Sequence, residues 1–84
     1  MRRYNQAFGK AIRALRKAGG TTQEGLALGA RISPNYISLL ERGERSPTLD
    51  TMLAICHALD VTLVDLATAI EAELMADCHE ATRR

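Results

Sequence analysis

Two Cys–His pairs, Cys56-His57 and Cys78-His79, bring this 84-residue chain nearest to metal chemistry, because thiolate and imidazole are preferred zinc ligands. Neighbouring residues on a helix point about 100° apart, and Cys56 falls on an apolar stripe, so neither pair forms a converging clip. No metal is expected. Catalysis finds no better material. There are two histidines, no glycine-rich phosphate loop, no carboxylate pair spaced for proton transfer, and too little chain for a deep pocket. No catalytic residue and no cofactor are assigned. What remains is charge. Residues 1–50 carry nine Lys or Arg against four acids, +5, whereas residues 51–84 carry two Arg against six acids, −4, and the two halves sum to the formal +1. A basic half suits a polyanion, and an acidic half implies a second task.

The elements that position these charges belong to one small domain. Composition is that of an ordinary globular chain, 46% apolar and 25% charged. The longest unbroken apolar run, residues 52–56, is far short of the ~20 residues that cross a bilayer. The N-terminal MRRYNQAFGKAI lacks the apolar stretch of a secretory signal, and two cysteines make no disulfide framework. A cytoplasmic location and no membrane partner are therefore expected.

Apolar residues recur at three and four, which predicts an all-α chain. A first helix over residues 5–18 puts Phe8, Ala11, Ile12, Leu15 and Ala18 inward, leaves Lys10, Arg13 and Lys17 solvated, and ends at Gly19-Gly20. Thr22 caps a short second helix over residues 23–29, which two internal glycines weaken. Ser33-Pro34 starts a third helix, residues 34–42, with Ile37 and Leu40 inward and Gly43 as its stop. After the loop GERSPT, Thr48 caps a fourth helix whose core stripe is Leu49, Met52, Leu53, Cys56 and Leu59. Thr62, with Asp65 three residues on, caps a long fifth helix carrying Leu63, Leu66, Ala67, Ile70, Leu74 and Cys78. A basic tail, residues 81–84, ends the chain.

Two short helices joined by a tight turn, the second bounded by Ser-Pro and Gly, form the helix-turn-helix layout, in which the second helix enters a major groove. The segments FGKAIRALRKAGG, TQEGLAL and ISPNYISLLERGERSPTLDTMLAICHALDVTLVDL together resemble the Cro and lambda-repressor, or Xre-type, DNA-binding family over about residues 8–67. Residues 68–84 add the helix extension and tail.

The resemblance implies an all-α, five-helix lambda-repressor-like domain, an extended fifth helix, and a homodimer on a pseudo-palindromic operator in double-stranded DNA, acting as repressor or autoregulator. It assigns Gln23 to phosphate and to support of the recognition helix, and Asn35, Tyr36, Ser38 and Leu39 to that helix's outward face. Asn35 suits adenine, Ser38 any polar edge, Leu39 a thymine methyl, and Tyr36 the sugar-phosphate backbone or a base. Arg42, Arg45 and Thr48 fall where the family's loop and fourth helix meet phosphate. Ser33 joins the DNA-facing set at the start of the recognition helix. Arg16 and Glu41 match a structural salt bridge.

Two positions depart from the family's pattern. Arg31 stands where the turn commonly has Gly, so the turn is strained or takes another path with help from Gly29, and Arg31 is also free to face phosphate. Leu39 replaces a polar reader, which shifts specificity toward methyl contacts and DNA shape. The fifth helix has more apolar surface than five short helices cover, which places a dimer face on Leu63, Leu66, Ala67, Ile70 and Leu74. An antitoxin or a restriction-modification controller would use the same domain. A protein-interaction module that has lost DNA binding is the reading from another class. A protein partner, toxin or RNA polymerase, stays open.

Overall fold

The computed structural model describes the backbone of residues 2–82 and the side chains of residues 3–76. Within them the chain is five helices and no strand: α1 Arg2–Ala18, α2 Gln23–Ala30, α3 Pro34–Glu41, α4 Leu49–Leu59 and α5 Leu63–Thr82. The side chains of Cys78 and His79 and the end of the basic tail lie outside the described residues. The molecule measures 42 × 22 × 22 Å, and α5 leaves α4 at a bend of 104°. No single described helix is long and apolar enough to cross a membrane.

The helix starts follow from local chemistry. Thr22 Oγ1 accepts from the Gly25 amide at 2.9 Å, Ser33 Oγ from Tyr36 at 3.0 Å, and Thr48 Oγ1 from Thr51 at 3.1 Å. At α5 the cap is reciprocal, Asp65 N to Thr62 Oγ1 at 3.0 Å and Thr62 N to Asp65 Oδ2 at 2.9 Å. Each satisfies amides that a helix N-terminus otherwise leaves unpaired.

The helix ends share one device. After α1, α2, α3 and α4 the chain closes with the paired 6→1 and 5→2 bonds of a Schellman motif. Examples are Ile32 N to Ala27 O at 3.0 Å with Arg31 N to Leu28 O at 3.3 Å, and Glu44 N to Leu39 O at 2.9 Å with Gly43 N to Leu40 O at 3.1 Å. The motif requires a left-handed residue. Gly20 and Gly43 supply it after α1 and α3, whereas Arg31 (φ 60°) and Asp60 (φ 57°) do so after α2 and α4. Of the two paths open to the turn, the chain therefore takes the strained one, and Gly29 sits inside α2 without relieving it. Glycine 29 serves packing instead, since a Cβ there would sit 3.1 Å from the Ala58 Cβ on α4.

Phe8, Ala11, Ile12, Leu26, Ala27, Ile37, Leu40, Ile55, Cys56 and Leu66 form the buried core. α1 lies against α3 and α5, and α2 against α3 and α4. Two expectations fail here. The α4 stripe is rotated: Leu49 and Leu53 are 56% and 45% exposed, while Ile55 is 1% exposed and points inward. In LDTMLAICHAL apolar residues occupy nearly every side, so the neighbouring helices decide which face is buried. Ala18 is exposed rather than inward, because α1 has run past the core by its last turn. Boundaries also move slightly. α1 begins three residues earlier than residue 5, α2 reaches Ala30, and α3 ends at Glu41 with Arg42 as the residue that caps it.

Candidate nucleic-acid interface

α3 is fixed from below and open above. Ile37 and Leu40 are fully buried, which turns Asn35, Ser38, Leu39 and Arg42, spaced at three and four, toward the opposite side. Asn35 and Arg42 are exposed, while Ser38 and Leu39 are half-buried. The pitch of α3 against α1 is set by a close approach. A Cβ on Gly9 would fall 2.6 Å from the Glu41 carbonyl oxygen and closer still to that of Leu40, so α1 and the end of α3 meet backbone to backbone.

The same junction carries a buried fork. Arg16 donates from Nε to Glu41 Oε2 at 2.6 Å, from Nη2 to Glu41 Oε1 at 3.0 Å, and from Nη1 to the Thr21 carbonyl at 2.9 Å. Gln23 Nε2 donates to the same Glu41 Oε1 at 3.0 Å. Burial would push the Glu41 carboxyl up, but the hydrogen bonds from Arg16 and Gln23, with the charges of Arg16 and Arg13, hold it below its ordinary value. The bond to Glu41 in turn pulls Arg16 above its own. Gln23 thus supports α3 by gripping its last turn, and its second amide N–H is left for an external acceptor.

Around the rim of α3 the expected cations are on the surface. Arg31, Arg42 and Arg45 are exposed, as are Ser33 and Thr48. Arg42 is held along α3, Nε to the Ser38 carbonyl at 3.3 Å and Nη1 to Glu44 Oε2 at 3.4 Å. Arg45 instead lies over the half-buried Tyr36 ring, 5.9 Å from its centroid. Ser33 and Thr48 use their hydroxyl oxygens as caps, so only the proton of Ser33 and the amides beginning α4 remain to donate. The Glu44 contact and the approach of Arg45 to Tyr36 were not expected. Both belong to the loop after Gly43, whose path no periodicity encodes.

The α5 residues divide. Leu66 is 1% exposed and belongs to the core, so it is withdrawn from the surface set. Its helix is apolar on two faces, and α1 covers the one holding Leu66. Leu63 and Ala67 are exposed, Ile70 and Leu74 half-buried, and Val64 and Met75 are 73% and 71% exposed. Among the described residues no cavity opens and no group of His, Cys, Asp or Glu could hold a metal. The Cys56 thiol is buried, and burial followed by the Asp65 charge pushes it up.

Comparison with known proteins gives this geometry relatives. A family model described as helix-turn-helix matches residues 12–66. The chain is 40% identical over 60 residues to the uncharacterized HTH-type transcriptional regulator y4dJ of Sinorhizobium fredii, covering 71% of this chain and 78% of that one. The structure is similar to the clp gene regulator ClgR of Corynebacterium glutamicum, with a TM-score of 0.84 and 32% identity over 95% of this chain and 87% of that one. It is also similar to the restriction-modification controller protein C.AhdI of Aeromonas hydrophila, with a TM-score of 0.72 and 35% identity over 74% and 94%. The chain spans about half the length of several other curated regulators it matches.

Proposed function

The chain belongs to the Xre-like helix-turn-helix family of DNA-binding transcriptional regulators, and from that premise we propose that it binds a pseudo-palindromic operator as a homodimer and acts there as a repressor or autoregulator. The observation that carries this reading is the outward row Asn35, Ser38, Leu39 and Arg42 on a helix whose other side is anchored by Ile37 and Leu40. Asn35 is the base reader, bidentate to adenine, and Leu39 packs on a thymine methyl. Ser33, Gln23, Arg31, Arg42, Arg45 and the amides after Thr48 hold phosphates, with Tyr36 beside them. Two-fold symmetry sets the recognition helices ~34 Å apart, one helical turn of DNA. The dimer face is the outer apolar side of α5, the exposed Leu63 and Ala67 with the half-buried Ile70 and Leu74, with the exposed Val64 and Met75 added and Leu66 removed.

Salt titration on the protein's own promoter DNA tests the reading. Six arginine–phosphate contacts per dimer give a slope of log K against log salt of roughly −5. A flat dependence sinks the DNA reading and leaves the protein-interaction module. Asn35→Ala is expected to weaken promoter binding by ~1–3 kcal/mol and relax one base position while sparing random DNA. Equal losses on both would remove Asn35 as a reader.

A second reading, the restriction-modification controller, is supported by the similarity to C.AhdI, 94% of whose chain is covered. It uses the same surface and differs in the genes served. Neighbouring methyltransferase and endonuclease genes would decide for it, and a neighbouring toxin gene for an antitoxin.

A further inference from the structure

We infer that Tyr36 is a positioning residue for Arg45, its ring being a shelf that holds the guanidinium at the phosphate-facing edge of α3. The inference rests on the DNA-binding reading and deepens it.

The ring is itself packed on one side. Tyr36 is in the first turn of α3, its amide bound to Ser33 Oγ at 3.0 Å, and its side chain is half-buried against the core. Arg45 sits in the loop beyond Gly43, outside any helix. Its Cζ lies 5.9 Å from the ring centroid, within the ~6 Å at which a cation feels the ring quadrupole. Among the described residues Arg45 has no carboxylate within ion-pair distance and no side-chain hydrogen bond, so the ring is what orients it.

The contrast with Arg42 shows what the shelf achieves. Arg42 spends in-plane N–H donors on the Ser38 carbonyl and on Glu44, donors a phosphate would have to recapture. A guanidinium placed over an aromatic ring spends no N–H on a carbonyl or carboxylate, so its donors stay available to a bidentate anion. Tyr36 and a phosphate therefore do not compete for Arg45. A long side chain already held in place also loses less freedom when the phosphate arrives. Tyr36 acts on affinity for DNA of any sequence rather than on one base.

The test is a double-mutant cycle on random-sequence duplex DNA, which needs no operator. Tyr36→Phe keeps the shelf while removing any contact its hydroxyl makes with a phosphate, and is the reference against which the ring is read. Tyr36→Leu keeps apolar packing but loses the ring face, and is expected to bind two- to five-fold more weakly than Tyr36→Phe, the worth of an exposed cation–π contact. Arg45→Ala lowers the salt slope by about 0.9 for each phosphate lost. In the Arg45→Ala background Tyr36→Leu and Tyr36→Phe should then bind alike. A ring loss that persists without Arg45 means that the ring acts on DNA by itself and overturns the proposal. In the free protein, the Arg45 side-chain NMR signals should be shifted upfield in the parent and in Tyr36→Phe but not in Tyr36→Leu. Unshifted parent signals would overturn it without reference to DNA. A parent that binds no duplex at any salt fails the DNA reading as a whole, whereas a steeply salt-dependent parent with additive variants fails Tyr36 alone.

Discussion

Arg16 on α1 clasps Glu41 on the last turn of α3 through two parallel hydrogen bonds, 2.6 Å and 3.0 Å long, with both side chains nearly buried, 10% and 4% exposed. The helix that presents Asn35 and Ser38 is thus tied at its C-terminal end to a helix that faces elsewhere. Gln23 adds α2 to the clasp, so the two helices of the helix-turn-helix and the helix behind them share one carboxylate. The orientation of α3 is set by this clasp together with the apolar contacts of Ile37 and Leu40 beneath it.

Breaking one side of the clasp strands a buried charge. Arg16→Met is expected to cost ~3–5 kcal/mol, a large part of the ~5–15 kcal/mol that holds a domain together. Adding Glu41→Leu removes the stranded carboxylate and should recover most of the loss. Urea denaturation of the two variants checks this, and a double variant as unstable as Arg16→Met would show that the pair contributes geometry that packing cannot replace.

The same carboxylate predicts an acid limit. Glu41 is held below its ordinary value of 4.5, so the folded state takes up its proton less readily than the unfolded chain. Its contribution is complete above that ordinary value and fades as pH falls through the lowered one. Thermal melts of the parent should therefore lose Tm below about pH 4. A Glu41→Gln variant, already less stable, should have a flatter acid limb. Parallel acid limbs would shift the cause to other carboxylates.

How much of this was legible from the residues depends on distance along the chain. Thr22, Ser33-Pro34, Thr48 and the Thr62/Asp65 pair were readable as caps because a cap is settled within four residues. The outward row on α3 was readable too, since Ile37 and Leu40 leave no other inward face. Leu49 and Leu53 were misplaced because α4 is apolar on most sides, so the burial of Ile55 depends on the neighbouring α2 and α5 rather than on spacing. Leu66 was misplaced for the converse reason: one face of α5 meets α1 and the other does not. The Gly9 approach to Leu40 and Glu41, and the position of Arg45 over the Tyr36 ring, join positions whose pairing leaves no local mark.

Arg31 carries a cost that glycine would remove. At φ 60° and ψ 41° it is left-handed, which costs a residue with a Cβ roughly 1–2 kcal/mol, offset in part by the extra freedom glycine has when unfolded. Arg31→Gly is expected to raise stability by about 0.5–1 kcal/mol and, with a phosphate contact gone, to weaken operator and random DNA alike. A melt and a binding titration on the same preparation check both signs. Unchanged affinity would confine Arg31 to the turn.

The exposed side of α5 makes the last prediction. Beyond Ile70 the helix leaves the core, yet Leu74 and Met75 follow, the latter 71% exposed. A charge on this face should oppose pairing of two copies without touching the fold. Leu74→Glu is therefore expected to lower the mass in light scattering to that of one chain while leaving the circular dichroism and cooperative melting of the domain in place. Leu66→Glu is the contrast, because a carboxylate in the core should abolish cooperative melting altogether. If Leu74→Glu keeps the parent's mass, α5 is not the dimer face, and the exposed Leu49 and Leu53 of α4 become the surface to charge next.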